Sequence, residues 1–531
     1  MTLVQPDSPI AVVGAGTMGA GIALVAAQAG HPVRLLDVRD GAAAAAVDGL
    51  RSKLDGLAAK GRLDADEAAA AASRLSVAGS VADLGACAVV IEAVAERLDV
   101  KQALFADVEA VVTADALLAT NTSSLSVTAI AAPLAHPGRV VGLHFFNPAD
   151  RMRLVEVVRG DATDPAVVEA AVDLARAWGK TPVVCTSTPG FIVNRVARPY
   201  YGEAQRMVEE GVADPATIDA VLREAGGFPL GPFELTDLVG QDVNLAVSTS
   251  VWQQTFGDPR YAPTVFQQRL VDAGRLGRKS GRGVFTYGDG GTATDATPST
   301  EPPRPAPDRV VLRHDEDGDG FPVMGELLRR IEAGGVSIER ILLDEEDLVD
   351  DDVPGIELPG GALLREAGGE LASESWTQDA SGAVLLDWAH DAATCTRVSL
   401  SASADCPDES LRAAVGLCQA AGVQVSVVGE SPGGVVARTV CMLVNEAVEL
   451  VTRGEASAED VDVAMILGTG YPSGPLQWGD RLEAAGVDVE IMLRELHSTF
   501  PSGRYRPSPA FLRMSRAGAR LRDVQAGGRR G

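Results

Sequence analysis

Apolar runs of strand length alternate with helical patterns over the first third of the chain. Ile10 to Val13 and Val33 to Leu36 are short apolar runs, and residues 20–29 between them have a helical composition. Further strand-like runs lie at 87–96, 117–127, 140–146 and 181–186. Strands that alternate with helices form a parallel sheet covered by helices. The pattern therefore predicts an α/β Rossmann domain at 1–186.

The excursion at residues 41–78 is rich in alanine and charged residues at helical spacing, and Asp64 precedes two acids as a helix N-cap would. After residue 186 the periodicity becomes helical throughout. Pro189-Gly190 breaks the sheet domain, and an all-helical domain is predicted at 187–287. Residues 288–308 are rich in Gly, Thr and Pro and predict a linker of disordered type.

The second half of the chain contains a repeat of a segment from the first half. Residues 432–480 echo 189–237 without a gap, at a constant offset of 243. The helical domain is therefore expected twice, the second time at 431–531. Residues 309–430 have strand-like runs but no G-x-G-x-x-G, so they predict a degenerate Rossmann-like domain that no longer holds a dinucleotide. Asn194 is matched by Ala437, which favours a structural role for the second half.

The first strand runs directly into the glycine pattern G-x-G-x-x-G, with a helix behind it. Gly14, Gly16 and Gly19 allow a tight turn and close approach of the backbone to a pyrophosphate at the helix N-terminus. Asp37 ends the second strand and is placed to accept hydrogen bonds from the ribose hydroxyls. A carboxylate there favours NAD over NADP, although the neighbouring Arg39 leaves that choice open.

Two further apolar runs, 140–146 and 154–158, carry His144 and Glu156 near facing ends, with a polar turn between them. A tight return would bring the two side chains together, and a histidine stabilised by a carboxylate makes a general base. A core histidine and a strand-edge glutamate are the alternative. Thr120 to Ser124, Glu92 and Glu96 follow strand ends, where open α/β sheets bind ligands.

Charge and cysteine usage narrow the function. The 531 residues carry a net charge of −27 at pH 7, which predicts a cytoplasmic protein with no nucleic-acid or membrane partner. The six cysteines are scattered without C-x-x-C spacing, as expected of buried thiols in a reducing compartment. Neither a signal peptide nor a membrane span is predicted, and no metal site is expected.

Six motifs closely resemble the 3-hydroxyacyl-CoA dehydrogenase family. They are VVGAGTMGAGIA, VIEAVAE, TNTSSLS, GLHFFNPADRMRLVEVV, TPGFIVNRV and GFPLGPFELTDLVG, and the resemblance spans 10–287. It implies that His144 is the catalytic base, Glu156 its partner, and Ser123 and Asn194 contacts of the substrate oxygen. The positions implied to bind NAD are Gly14, Gly16, Thr17, Met18, Gly19, Asp37, Glu96, Lys101, Ser123, Asn147 and Lys279. Those implied for the acyl-CoA are Ser123, Asn194, Lys60 and Lys53, although the family often has serine at the position of Lys53.

The resemblance implies NAD-dependent oxidation of an (S)-3-hydroxyacyl-CoA. Tandem family members include bacterial 3-hydroxybutyryl-CoA dehydrogenases and the 3-hydroxyadipyl-CoA dehydrogenases of phenylacetate degradation. Short members dimerise through the helical domain, so an intrachain pseudo-dimer of helical domains is expected here, with a homodimer as a further possibility. Two alternatives stand beside this interpretation: a Rossmann dehydrogenase of a free hydroxy acid, and a non-catalytic NAD-binding scaffold.

Overall fold

The computed structural model describes residues 4–5, 7–314, 322–343, 354–375 and 381–528. The chain forms two compact units. The first unit contains Met1–Arg195 and Gly454–Thr469, and the second contains Val196–Arg453 and Gly470–Gly531. A short piece of the second half of the chain therefore belongs to the unit built by the first 195 residues.

The elements follow one another in this order. The strands are β1 (Ile10–Val13), β2 (Val33–Leu36), β3 (Leu75–Val77), β4 (Val89–Glu92), β5 (Leu117–Thr120), β6 (Val140–Phe145), β7 (Leu154–Arg159), β8 (Thr181–Thr186), β9 (Arg309–His314), β10 (Ser337–Leu342), β11 (Gly355–Glu357), β12 (Leu363–Glu366), β13 (Ala383–Leu386), β14 (Arg397–Ala402) and β15 (Gln424–Val427). The helices are α1 (Thr17–Gln28), α2 (Ala42–Ala59), α3 (Ala65–Arg74), α4 (Leu98–Glu109), α5 (Val127–Ala131), α6 (Pro165–Ala177), α7 (Val193–Val196), α8 (Arg198–Glu209), α9 (Pro215–Glu224), α10 (Pro232–Val239), α11 (Gln241–Gln254), α12 (Val265–Asp272), α13 (Pro322–Ala333), α14 (Asp408–Ala420), α15 (Val436–Thr452), α16 (Ala458–Thr469), α17 (Pro475–Ala484), α18 (Val489–Thr499) and α19 (Pro509–Ala517). Within the described ranges, no helix is both long and apolar enough to cross a membrane.

The first unit is built on an eight-stranded sheet with the order β3-β2-β1-β4-β5-β6-β7-β8. Every neighbouring pair is parallel except β6 and β7, which run antiparallel. All residues of β1, β4 and β5 are buried. Strands buried on both faces need continuous apolar sequence, which is the pattern read from the chain. Asp64 caps α3 as predicted, since its carboxylate accepts hydrogen bonds from the backbone N–H groups of Asp66 and Glu67.

The second unit holds a seven-stranded sheet with the order β10-β9-β11-β12-β13-β14-β15. Residues 288–308 were expected to be disordered, but the structure gives this segment defined contacts within the unit. Glu301 N–H donates to the carbonyl of Val425 at 2.8 Å, and the Ser426 hydroxyl donates to the carbonyl of Ser299 at 2.6 Å. The segment therefore lies along β15 instead of serving as a free linker.

The β13–β14 pair repeats the β6–β7 pair. Leu386 lies opposite Leu400 in one pair and Leu143 opposite Val157 in the other, which is the same offset of 243. The next register positions, those of His144 and Glu156, are occupied in the second sheet by Asp387 and Ser399. Asp387 is 4% exposed and accepts hydrogen bonds from the Ser399 hydroxyl (2.9 Å) and from the backbone N–H groups of Val435 and Val436 (both 2.8 Å).

Buried charges link the two helical repeats of the second unit. Glu203 is fully buried and accepts from Arg438 Nε at 3.0 Å, from Arg504 at 2.6 Å and from the Tyr505 hydroxyl at 2.9 Å. Burial alone would raise the pKa of Glu203, but the charges of the two arginines lower it to about 2. Arg504, part of the arginine-rich C-terminal segment, is thus packed into the interior of the unit.

Candidate active site

The centre of the candidate site is the His144–Glu156 pair. The two residues lie directly opposite each other in the antiparallel register of β6 and β7. His144 Nδ1 lies 2.6 Å from Glu156 Oε2, and the two residues are 6% and 0% exposed. A carboxylate can only accept, so Nδ1 carries the hydrogen and donates it, which leaves Nε2 as the ring nitrogen able to take a proton.

The other oxygen of Glu156 is also fixed. Its Oε1 accepts from the backbone N–H groups of Ile192 (3.1 Å) and Val193 (2.9 Å), where α7 begins. The negative charge of a buried carboxylate needs such donors. The same carboxylate therefore orients the imidazole and anchors the turn that leads to Asn194, which is half-buried in α7.

Two aromatic rings pack against the imidazole. The ring centroids of Phe146 and Phe191 lie 4.6 Å and 5.8 Å from that of His144. Phe191 holds a left-handed backbone conformation with φ of 49°. Such a conformation costs a bulky residue on the order of 1 kcal/mol, and it is retained here in the turn that brings the phenyl ring onto the histidine.

Ser123 lies in the loop that follows β5, and Glu96 holds this loop. Glu96 Oε1 accepts from the backbone N–H groups of Ser123 (2.9 Å) and Ser124 (3.1 Å) and from the Thr122 hydroxyl (2.6 Å). Asn121 Oδ1 accepts from the backbone N–H of Phe145 at 2.9 Å, which ties the loop to the residue after His144. The serine loop and the histidine strand are therefore joined by direct hydrogen bonds.

Lys101 occupies a deeper position than the sequence suggested. It is 1% exposed, and its Nζ lies 2.6 Å from Glu92 Oε1 and 3.2 Å from Glu96 Oε2. Burial would raise the pKa of Glu96, but the charge of Lys101 and the hydrogen bonds of the loop lower it overall. Lys101 is thus paired with two carboxylates. It contacts the serine loop indirectly, through Glu96. Glu92, expected at the crevice, is wholly buried and also accepts from the Thr120 hydroxyl at 2.7 Å.

The glycine loop fits a dinucleotide phosphate. A Cβ at Gly14 would lie 2.4 Å from the carbonyl oxygen of Ala93, and one at Gly19 would lie 1.7 Å from that of Gly14. By contrast, a Cβ at Gly16 would meet no atom within 4 Å. Gly16, the N-cap of α1, has no side-chain capping bond, and Thr17 beside it is exposed, while Met18 is half-buried. An uncapped, accessible helix N-terminus is a site for an anionic phosphate.

Asp37 ends β2 beside this loop. Its Oδ2 accepts from the backbone N–H of Ala15 at 2.7 Å, and its two oxygens pair with the Arg39 guanidinium at 3.0 Å. The hydrogen bond from Arg39, followed by that from Ala15, lowers the pKa of Asp37 well below its usual range despite burial. An ionised carboxylate at this edge suits the ribose hydroxyls of NAD and disfavours a 2′-phosphate.

The remaining predicted positions are less closely grouped. Asn147 is exposed just after β6, and Lys60 is exposed at the end of α2. Lys53 on α2 is paired with Asp150 at 2.8 Å. Lys279 belongs to the second unit, where its Nζ lies 2.5 Å from Asp242. In the described ranges, no group of three His, Cys, Asp or Glu side chains is arranged to hold a metal ion.

Some supporting residues were missed from the sequence. Asn121 and Phe191 stand inside recognised motifs, yet nothing in their spacing marked one as a brace for the histidine strand and the other as a wall against the imidazole. Glu92 and Thr120 were noticed only as strand-end polar groups. Their shared contact could have been suspected, because neighbouring parallel strands end at the same edge of the sheet.

Comparison with known proteins places this geometry in a family. The sequence model of the NAD-binding domain of 3-hydroxyacyl-CoA dehydrogenase matches residues 9–188. That of the C-terminal domain of the same family matches twice, at 190–287 and 433–529. A third model, the reduced Rossmann-fold domain of 3-hydroxybutyryl-CoA dehydrogenase, matches 364–432.

Individual relatives agree with these matches. A 3-hydroxyadipyl-CoA dehydrogenase of Escherichia coli K12 is 42% identical over 498 residues, which are 94% of this chain and 95% of that protein. The crystal structure of a 3-hydroxybutyryl-CoA dehydrogenase from the same strain has a TM-score of 0.84 and 39% identity, covering 97% of this chain and 99% of that one. An (S)-3-hydroxybutyryl-CoA dehydrogenase from Ralstonia eutropha, with a TM-score of 0.52 and 38% identity, covers 53% of this chain and 100% of its own. The chain belongs to the 3-hydroxyacyl-CoA dehydrogenase family, whose N-terminal domain binds NAD.

Proposed function

We propose that this protein oxidises a short (S)-3-hydroxyacyl-CoA to the 3-oxoacyl-CoA with NAD⁺, using His144 as the general base. The observation that carries the proposal is the buried His144–Glu156 pair, with Nδ1 engaged and Nε2 left to accept a proton. In the oxidation, the substrate O–H proton goes to Nε2 as the C3–O bond becomes a carbonyl. NAD⁺, when bound, supplies the acceptor for the hydride that leaves C3.

The carboxylate makes this proton transfer favourable. As His144 becomes an imidazolium, the charge of Glu156 offsets the new positive charge in a site where water is largely excluded. Ser123 and Asn194 are proposed to orient the substrate oxygen. The glycine loop with Thr17 and Met18, together with Asp37, Glu96, Lys101, Ser123, Asn147 and Lys279, is proposed to bind NAD, with Lys101 acting through Glu96. Lys53 and Lys60 are proposed contacts of the coenzyme A, and Lys53 would have to leave Asp150 to make one.

The proposed domain organisation keeps the boundaries drawn from the sequence. Residues 1–186 form the NAD-binding domain and 187–287 the first helical domain. Residues 309–430, after the connecting segment 288–308, are a degenerate Rossmann-like domain, and 431–531 form the second helical domain. The twofold match of the family's C-terminal domain and the reduced Rossmann match support this division.

The second half is proposed to act as the partner within one chain, giving an intrachain pseudo-dimer. In the first unit, α16 of the second helical repeat packs on β7 and β8. In the second unit, α9 of the first helical repeat packs on β14. Each half thus lends a matching helix to the other half's sheet, as two protomers do when they exchange an element.

The function is tested by NADH oxidation with acetoacetyl-CoA, 3-oxoadipyl-CoA and free acetoacetate. Both thioesters are expected to be reduced, and their kcat/KM ratio assigns the acyl group. The names of the relatives point to these two substrates. If free acetoacetate gave the same kcat/KM as its thioester, the enzyme would instead be a hydroxy-acid dehydrogenase. If no substrate were reduced although NADH bound, the scaffold alternative would hold.

A further inference from the structure

The segment Gly454–Thr469 completes the first unit although it comes from the second half of the chain. The backbone N–H of Thr186 donates to the carbonyl of Glu455 at 2.8 Å, and the backbones of Cys185 and Ala456 form an isolated antiparallel β-bridge. Further along, α16 approaches closely at Gly468, where a Cβ would lie 2.8 Å from Leu154 and 2.9 Å from Val193. The segment therefore lies against both the last strand and the start of α7.

The side chain of Glu455 reaches the turn that leads into the candidate site. Its Oε2 accepts from the Thr188 hydroxyl at 2.9 Å and pairs with the guanidinium of Arg195. The Arg195 side chain is 2% exposed and that of Glu455 is 11% exposed, so this ion pair is largely removed from water. The two contacts close the ends of the 188–195 turn.

That turn carries several components of the site. Phe191 packs on the His144 ring, the backbone N–H groups of Ile192 and Val193 hold Glu156, and Asn194 stands beside Arg195. A displacement of the turn would therefore disturb the histidine, its carboxylate and the asparagine together. Misplacement by about 1 Å can cost about 10²-fold in rate.

The equivalent contact at the second sheet has no such carboxylate. The position 243 residues before Glu455 is Val212, and its carbonyl accepts from the backbone N–H of Gly429 at 2.7 Å, which is the counterpart of the Thr186–Glu455 bond. The main-chain contact is thus kept, but the side chain there is apolar. Arg438, the counterpart of Arg195, is instead held by Glu203 and Glu210. At the position of Glu455 itself, a carboxylate stands beside the turn that carries Asn194 and not beside the turn that carries Ala437, whose arginine is paired from other positions.

We infer that Glu455 is a positioning residue of the site, through which the second half of the chain holds the Thr188–Arg195 turn in the geometry the reaction needs. This inference rests on the proposed function. It assigns the second half a direct part in turnover, beyond replacing a dimer partner.

The test compares Glu455→Gln with Glu459→Gln, an exposed glutamate on α16 that serves as a matched control. For Glu455→Gln, kcat for acetoacetyl-CoA with NADH is expected to fall about 10- to 100-fold. The Kd and stoichiometry of NADH, measured by fluorescence titration, are expected to stay at the wild-type values. Glu455→Asp is expected to recover part of kcat, and Glu459→Gln to match wild type.

A merely structural role predicts a different result. The fraction of NADH-binding molecules or the melting temperature would then fall, while kcat per NADH-binding molecule stayed unchanged, and that outcome overturns the inference. If Glu455→Gln does not fold, Thr188→Val decides, because it removes one hydrogen bond to Glu455 and leaves the ion pair. A kcat reduced about 2- to 12-fold supports the inference, since one hydrogen bond contributes about 0.5–1.5 kcal/mol. An unchanged kcat overturns it. Failure of the proposed function would appear separately, as wild-type protein that binds NADH but reduces no thioester.

Discussion

Two antiparallel strand pairs in this molecule have the same register but different chemistry. In β6–β7 a histidine lies opposite a glutamate, and directly after β13 the backbone N–H of Asp387 donates to the carbonyl of Ser399 on β14 at 3.1 Å. In both, a carboxylate accepts the first backbone N–H groups of the helix that follows, α7 in one case and α15 in the other. The contact with the helix start is therefore what both halves share, and the imidazole is what distinguishes the first.

The carboxylate changes strands between the two pairs. In the first half it stands on β7 and serves two partners, the helix start and His144. In the second half it directly follows β13, at the histidine's own position in the repeat, and Ser399 supplies only a hydroxyl. A buried carboxylate requires hydrogen-bond donors in either place. The comparison shows that the contact with the helix start does not require a histidine in the strand pair.

The largest expected effect is that of His144→Gln. The variant is expected to lower kcat about 10²- to 10⁴-fold, because general-base catalysis is lost while a side-chain amide can still donate to Glu156. NADH affinity and melting temperature should change little. Stopped-flow NADH oxidation measures kcat, fluorescence titration measures NADH affinity, and thermal denaturation measures the melting temperature. A kcat near that of wild type would rule out His144 as the base.

The counterpart arginines Arg195 and Arg438 suggest the next test. Glu203→Gln leaves Arg438 and Arg504 buried with less compensating charge, so a loss of about 3 kcal/mol in the free energy of unfolding is expected. The folded-state pKa of Glu203 lies below its ordinary value, at about 2. Its contribution is therefore present above about pH 4.5 and is lost as pH falls toward 2. Urea unfolding of both proteins from pH 7 to 3 measures this, and a difference between them that stayed constant would contradict it.

A smaller effect is expected from Asp387→Asn. The amide oxygen can still accept, but the charge that strengthens the hydrogen bonds from Val435 and Val436 is lost, so about 1–2 kcal/mol of stability should disappear. Because Asp387 belongs to the half without the histidine, kcat per NADH-binding molecule should be unchanged. Denaturant midpoints and active-site-normalised rates provide the measurements. A loss of kcat as large as that of His144→Gln would overturn the division of roles between the two pairs.

No effect is expected when the pair is transplanted. Asp387→His with Ser399→Glu, placed in the His144→Gln background, should show the residual rate of His144→Gln alone. The second half has Ala437 in place of Asn194 and no G-x-G-x-x-G, so a restored pair meets neither substrate nor cofactor. Recovered thioester reduction would mean that the strand pair alone suffices for a site.

Local patterns predicted the components of the site well. The spacing of His144 and Glu156 around a short turn, the strand before Gly14 and the helix after Gly19 are all local features, and each was found as expected. Asp387 was also accessible from the sequence, by continuing the offset of 243 upstream of the repeat. The correspondence was missed because an acid stands at the position of the histidine, although the neighbouring Leu143 and Leu386 are identical.

Long-range partners could not be read from the chain. Glu455 pairs with Arg195, which lies 260 positions away in the sequence, and no local pattern around either residue predicts this contact. Lys101 was expected to contact NAD from the family resemblance alone, and nothing in the sequence indicated that its ammonium lies in the interior beside two carboxylates. The segment 288–308 has the composition of a linker, yet it forms hydrogen bonds with β15 and with other residues of its unit, such as Thr217 and Gln419. The composition of a segment predicts its behaviour in isolation and does not predict its tertiary contacts.

The constant offset between the two strand pairs also shows where the two halves agree in length. One residue inserted within β6 or β13 would turn every following side chain to the opposite face, moving His144 away from Glu156 or Asp387 away from the start of α15. Between the strand pair and the helix start, the two halves therefore differ in their side chains and not in their length. Length changes begin upstream, where Leu363 pairs with Ala383 but Leu118 with Val140, so that connection is two residues shorter in the second half. Both halves thus have the same spacing between the strand pair and the helix start, and the side chains at that spacing decide whether an imidazole is held there.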